Sequence, residues 1–260
     1  MRIVAGVVAA FAIVTLGATA RGQTVTASGP GTEPGETLGA SATFAVSNLE
    51  LIVTLSNTGT FDPVNANDVL TAVFFKVNGD LKLTPQSADV APGSSVIDHP
   101  HPLPLGFSGD VGSQWAYRND LIRAPNGTDE GISSTSLKWF GTKNLFSSEK
   151  IKGFGSIGGI SFGITTFDDL GGHKRGNLKN QALAQNSVVF TFSGLPDDFS
   201  LSDISDVTFQ YGTSVKAPDL IGGAIANVPE PPTIALVVAG MIGALGAMRC
   251  GVVRKPTVVY

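Results

Sequence analysis

The chain has 260 residues, with 17 basic and 21 acidic side chains and a formal net charge of −4. This slightly acidic balance lacks the clustered basic surface that nucleic acid requires, so we expect no nucleic-acid partner. Cysteine occurs once, at Cys250, which excludes a disulfide within the chain. The stability of the folded part must therefore come from core packing.

Residues 1–20 contain the three parts of a secretory signal peptide. Arg2 supplies a positive charge, residues 3–17 are apolar, and Ala18-Thr19-Ala20 places small side chains where a signal peptidase reads them. A buried N-terminal helix is the alternative, but the run has no polar face and polar residues follow it at once. We expect a signal peptide at 1–20, cleavage after Ala20 and export of the rest of the chain.

Period-two alternation recurs in the body of the chain, whereas helical periodicity is hard to find. Apolar residues alternate with polar or small ones over 43–47 and, after a Ser47-Asn48 break, over 49–56 from Leu49 onward, which predicts a hairpin with one buried face. Residues 69–77 are apolar on both faces, as is typical of a strand inside packed sheets. Further strands are predicted at 81–84, 160–166, 188–192 and 207–211.

Residues 91–159 are rich in Gly, Ser and Pro but also carry several aromatic side chains, so we expect loops and short strands packed on the sheets. Residues 178–184 are the one modest helix candidate. Residues 213–232 lose the alternation and are predicted to be a linker. We expect residues 21–212 to form an all-β exterior domain, an antiparallel β-sandwich of jelly-roll-like form.

The C-terminal part has the composition of a membrane anchor. The segment from Thr233 to Met248 has no charged residue and as a helix would be roughly 24 Å long, a little short of a typical hydrocarbon core. Arg249, Arg254 and Lys255 follow it, and basic residues lie mostly on the cytoplasmic side of a span. We therefore predict a transmembrane helix at 233–248, a basic cytoplasmic tail at 249–260, and an exterior body.

The segment Pro229-Glu230-Pro231 stands directly before this span. Together with the uncharged run and the basic cluster, it resembles the PEP-CTERM sorting signal, which a membrane-embedded exosortase processes. A plain single-pass anchor with a proline-rich stem is the alternative. The body is similar to the XDD-type exosortase-dependent surface proteins in five stretches, namely 68–75, 115–118, 131–134, 186–190 and 207–213.

These resemblances imply a location and partners. They imply a cell-surface or extracellular-matrix protein that meets the membrane and an exosortase, and PEP-CTERM systems tend to accompany exopolysaccharide production. The XDD-type group has no assigned biochemical activity, so the resemblance implies no catalytic residue and no cofactor.

Two catalytic look-alikes overlap at 153–163. The glycines at 153, 155 and 158 match G-x-G-x-x-G, but the preceding residues are too polar for a central strand. Ser161 lies in a G-x-S-x-G pattern, with Asp168, Asp169 and His173 in the order of a catalytic triad. A predicted strand follows Ser161 where the motif needs a helix. We expect a non-enzymatic protein, and a serine hydrolase that uses Ser161 and His173 is the second alternative.

Metal ligands are few in the sequence. His99 and His101, beside Asp98, are each followed by a proline, Pro100 and Pro102, which predicts a stiff, exposed loop, and His173 is the third and last histidine. Four acidic residues without the spacing of an EF-hand could bind calcium, at Asp197, Asp198, Asp203 and Asp206. Solvated side chains account for both sets, so we expect no metal site.

Trp115, Tyr117 and Trp139 carry the first alternative function, a carbohydrate-binding module for exopolysaccharide. Flat aromatic faces suit sugar rings when they are exposed together, whereas the same rings in a sheet protein are often core residues. The exposure of these three side chains therefore decides between the two interpretations.

Overall fold

The computed structural model describes residues 22–228, except 32, 80, 98–102, 104, 152, 156, 174–176, 218 and 224–225. This part of the chain contains fourteen strands, a few 3-10 turns and no α-helix, so the predicted all-β class is confirmed. None of its segments is a helix with the length and hydropathy that a membrane span requires. The predicted signal peptide (1–20), sorting motif, span (233–248) and basic tail (249–260) lie outside the described residues.

In chain order the strands are β1 (Gly22–Pro30), β2 (Thr37–Ser47), β3 (Glu50–Asn57), β4 (Leu70–Val77), β5 (Thr84–Val90), β6 (Ser95–Ile97), β7 (Ala116–Arg118), β8 (Glu130–Ser133), β9 (Ile164–Thr165), β10 (Leu183–Gln185), β11 (Ser187–Ser193), β12 (Ile204–Tyr211), β13 (Asp219–Ile221) and β14 (Ala226–Val228). They form two sheets. The first has six strands in the order β14-β1-β2-β3-β11-β5, and all of its neighbours are antiparallel.

The second sheet has eight strands. Its main path is β13-β12-β4-β9-β10-β6, and β8 pairs with both β4 and β7. Every pair is antiparallel except β9 with β10, which are parallel. The second sheet is therefore centred on β4, which has β12 on one side and both β8 and β9 on the other.

The predicted hairpin at the start of the domain is confirmed as β2 and β3, which pair in full register from Ala40↔Asn57 to Ser47↔Glu50. The connection consists of Asn48 and Leu49 alone, with φ angles of 53° and 62°. A two-residue hairpin turn needs positive φ because its twist must match that of the strands. Leu49 therefore lies in the turn and is 51% exposed, which corrects its predicted place on the buried face.

The two sheets pack against each other around one shared core. Phe44 on β2 contacts Phe75 on β4 edge to face, with ring centroids 5.4 Å apart. Trp115, just before β7, packs against Phe190 on β11 at 5.0 Å. Phe74 points to the other face of β4, where residues of the 116–145 region cover it in a second cluster. Strand β4 is thus buried on both faces, as the run at 69–77 predicts.

Two strand predictions are only partly correct. The run at 81–84 is not a strand, because β5 begins at its last residue and continues to Val90. In the predicted strand at 160–166, only the two residues of β9 pair with neighbours. The loops and short strands predicted for 91–159 are found as β6, β7 and β8 with their long connections.

The predicted helix at 178–184 and the predicted linker at 213–228 are wrong. The first segment forms a turn followed by β10, which lies between β6 and β9. The second contains β13, paired with β12, and β14, paired with β1. All three strands have three residues, too few for a sequence period to appear. The folded domain therefore extends to Val228.

Candidate functional site

The three aromatic residues proposed as a sugar platform do not form one. Trp115 is 0% exposed, and Tyr117, at 5%, packs on Phe192 with ring centroids 4.8 Å apart. Trp139 is partly buried and contacts Phe74 at 5.8 Å on the opposite face of β4. The prediction fails because the first two rings fill the space between the sheets, where no sugar can stack on them.

Tyr117 and Glu130 form a buried polar pair between β7 and β8, in which the phenol donates a hydrogen bond to the carboxylate. Burial raises the pKa of Glu130 from 4.5 to about 7, against the lowering effect of the Tyr117 hydrogen bond, and Asp129 and Asp120 raise it further. Burial and the nearby Glu130 raise the pKa of Tyr117 above its usual range. The carboxyl group of Glu130 therefore keeps its proton at pH values where an exposed glutamate is already ionised.

Ser161 lacks the setting of a catalytic serine. Its hydroxyl donates to Oε1 of Gln181 at 2.7 Å. Phe162 follows with a φ of 61° and a fully buried ring, and the chain then enters β9 instead of the helix that the motif requires. The G-x-G-x-x-G pattern at 153–158 also lacks the helix that it requires, because residues 157–163 contain bends and turns.

The four acidic residues considered for calcium are ordinary surface residues, three of them in or beside a 3-10 turn and Asp206 at an irregularity of strand β12. The carboxylate of Asp203 accepts from the backbone N–H of Ser200 at 3.2 Å, as a cap of a short 3-10 turn. Asp206 accepts from the Ser205 hydroxyl at 3.2 Å, and Asp197 and Asp198 are exposed. Asp98, His99 and His101 lie outside the described residues.

Among the described residues, one group of side chains is of the kind that bind metal ions: Asp62, Asp169 and His173, here called the loop triad. Each offers one ligand-type atom, and these atoms all lie within 4.8 Å of one another. Nε2 of His173 lies 3.6 Å from Oδ1 of Asp169. The Asp169 side chain is fully buried, that of His173 is 10% exposed, and Asp62 is exposed. The group is therefore accessible from one side.

Burial raises the pKa of Asp169, while hydrogen bonds from the Thr165 hydroxyl and the Gly171 N–H, and the nearby His173, act to lower it. Asp62 raises it further by charge repulsion. In the sequence, Asp169 and His173 stand in triad order after Ser161, and His173 is also a candidate metal ligand with His99 and His101, but no pattern there indicates Asp62. Asp62 lies in the loop after β3, far from the others in sequence, so no local spacing could indicate the group.

Comparison with family models, with curated proteins and with solved structures found no match for this chain. The fold and the side-chain geometry define an all-β protein with two packed sheets and a mixed carboxylate and imidazole cluster on its surface.

Proposed function

We propose that this chain is an exported, non-enzymatic protein of the cell surface or extracellular matrix, sorted through a PEP-CTERM signal that an exosortase processes. One observation carries the proposal: the β domain fills the whole interval between the two targeting segments. Strand β1 begins at Gly22, just after the expected cleavage site at Ala20, and β14 ends at Val228, directly before Pro229.

The pairing of the terminal strands supports this arrangement. Gly22 is the register partner of Val228, so the two ends of the described chain leave the domain at one edge of the first sheet. During export, the N-terminal end of the domain is attached to the signal peptide at the membrane. During retention, its C-terminal end is attached to the membrane span. A domain whose ends emerge together meets both requirements in one orientation.

The architecture and partners belong to the same proposal. Two packed sheets around one core, antiparallel except for the β9–β10 pair, are the basis for a sandwich of jelly-roll-like form. The membrane and an exosortase are the partners that the C-terminal segment implies, and exopolysaccharide follows by association with this sorting system. The burial of Trp115 and Tyr117 removes the sugar site first considered, so the non-enzymatic structural role is the better supported one.

Two substitutions separate membrane insertion from processing. Val238→Asp places a charge in mid-span, which disfavours insertion by roughly 2.5–3.5 kcal/mol, and we expect it to reduce membrane retention. Glu230→Gln leaves the span intact, so this variant is expected to insert but to remain unprocessed. Glu33→Gln, at an exposed position in the β1–β2 turn, is the matched control and should be processed normally.

The measurement is the size and the membrane or released location of each variant in the producing cell. Normal processing of Glu230→Gln would contradict recognition of the Pro-Glu-Pro motif and leave a plain anchor. Normal membrane retention of Val238→Asp would contradict a span at 233–248.

A further inference from the structure

Two loops that are distant in sequence are held together at the loop triad. In the loop 58–69 between β3 and β4, the three consecutive residues Phe61, Asp62 and Pro63 each contact the loop that follows β9. Thr166 Oγ1 donates to the carbonyl oxygen of Phe61 at 2.6 Å, and the N–H of Leu170 donates to Oδ1 of Asp62 at 3.3 Å. His173 Nε2 lies 3.0 Å from the carbonyl oxygen of Pro63.

Hydrogen bonds from β10 and from within the loop also hold the loop after β9 in place. The side-chain amide of Gln185 donates to the carbonyl oxygens of Phe167 and Asp169, both at 2.9 Å. The carboxylate of Asp169 accepts from the Thr165 hydroxyl through Oδ2 and from the Gly171 N–H at 2.7 Å through Oδ1. Hydrogen bonds of this kind orient a carboxylate and leave further lone pairs on its oxygens.

The distances within the triad suit coordination better than hydrogen bonding. The 3.6 Å between His173 Nε2 and Asp169 Oδ1 is too long for a good hydrogen bond. Coordination by this nitrogen requires it to be unprotonated and to give up its 3.0 Å contact with the Pro63 carbonyl oxygen, which can only accept. Two ligand atoms about 2.1 Å from one tetrahedral ion are about 3.4 Å apart, which is close to this separation. The other separations in the group are within 4.8 Å, and any that approach this limit must shorten on binding. Asp62 is exposed and its Oδ1 accepts a 3.3 Å hydrogen bond from Leu170, so its side chain is the one that must move.

We propose that the loop triad is a binding site for one divalent transition-metal ion of the zinc class, with Asp62, Asp169 and a ring nitrogen of His173 as ligands and water in the remaining position. Imidazole selects such ions over Ca²⁺ and Mg²⁺, which prefer oxygen ligands alone. The two carboxylates balance the charge of the ion. This inference departs from the sequence-based expectation of no metal site and is independent of the proposed export.

The competing explanation is a simple contact between His173 and Asp169 that closes the loop. In that case the imidazole and the two carboxylates satisfy each other and their backbone partners, and no ion is taken up. The two explanations differ in a direct binding measurement, because only the proposed site saturates with one ion per chain.

The test uses the full-length protein in detergent, treated with a chelator and titrated with ZnCl₂ by calorimetry. A parallel titration with CoCl₂ is followed by visible absorption, since the bands of Co²⁺ report its ligands and geometry. We expect one ion per chain, no competition from excess CaCl₂, and a loss of affinity of about 100-fold or more in His173→Ala.

Asp62→Asn is the second variant, chosen because the position is exposed and asparagine keeps a side-chain oxygen that can accept from Leu170, and it should weaken binding at least about tenfold. Asp168→Asn is the matched control, since it removes an exposed carboxylate from the same loop outside the triad and should bind as the parent does. A His99→Ala/His101→Ala variant accounts for the other two histidines. Absence of saturable binding, or binding that is lost in this double variant and kept in both triad variants, would overturn the proposal.

Discussion

Glu130 is a side chain whose charge is controlled by its surroundings in the fold. It is 5% exposed, accepts from Tyr117, and lies near Asp129 and Asp120. Its folded-state pKa of about 7 lies above the ordinary value of 4.5, so the folded protein binds the proton more tightly than the unfolded chain does. The stability that this proton confers is fully present below about pH 4.5 and is lost as the pH rises through 7.

Glu130→Gln should remove this pH dependence, because the amide keeps a hydrogen-bonding group beside Tyr117 and cannot ionise. We expect the stability of the variant relative to the parent to increase by about 3 kcal/mol between pH 4.5 and pH 8. Urea unfolding at a series of pH values measures it. Glu149→Gln, at an exposed position, is the control and should show no such trend. A constant difference for Glu130→Gln across this range would contradict the pKa shift.

Phe75 tests the packing of the two sheets. Its ring is fully buried and contacts Phe44 across the core, so Phe75→Ala should destabilise the domain by about 3–5 kcal/mol. Phe167→Ala removes the same ring from a site that is 65% exposed and should change stability by less than about 0.5 kcal/mol. Equal unfolding midpoints for the two variants in urea would count against the shared core.

At the scale of elements, the backbone conformation of Leu49 in the β2–β3 turn lowers the stability of the domain. Leu49 has a φ of 62°, a conformation that is unfavourable for any residue with a Cβ and easily accessible to glycine. We expect Leu49→Gly to stabilise the domain by about 0.5–1 kcal/mol in urea unfolding, after allowing for the greater freedom of glycine in the unfolded chain. Leu49→Ala keeps the Cβ and should be nearly neutral. Destabilisation by glycine would show that the turn is not of this type.

Gly222 tests whether the segment after β12 belongs to the domain. A Cβ at this position would lie 2.5 Å from Val25 Cγ1 and 2.8 Å from the carbonyl oxygen of Val207, so Gly222→Ala should cost about 1–3 kcal/mol. Gly141→Ala, where a Cβ would meet nothing within 4 Å, is the control. If thermal unfolding of the two variants is the same, the segment behaves as the linker that the sequence predicts.

The sequence was most informative where a strand was long. The alternation in 43–56 predicted the paired part of β2 and β3, because a repeated period of two distinguishes the buried face from the exposed one. The run at 69–77 predicted β4 because an apolar stretch on both faces is typical of a strand inside packed sheets. Strands β10, β13 and β14 have three residues each and exist through pairing with distant strands, so no local pattern indicates them. The loop triad was missed for the same reason, since Asp62 and Asp169 meet only after β3 and β9 are placed.

At the scale of the whole molecule, the fold brings together the two ends of the described chain, since Gly22 pairs with Val228. Because β1 and β14 are neighbours, the expected signal-peptidase site and the Pro229-Glu230-Pro231 motif are attached to one edge of one sheet. No linker separates the domain from the motif, so an exosortase would act close to the folded edge. If the chain is exported as proposed, the rest of the surface, including the loop triad, faces the outside of the cell.

Intact-mass measurement of the protein recovered from its producing cell tests the central claim most directly, because it reads both ends at once. The proposal predicts a chain that begins at Arg21 and ends close to Pro231, without the span or the basic tail. A mass that includes residues 1–20 would contradict export through a cleaved signal peptide. A mass that extends through Tyr260 would contradict processing by an exosortase.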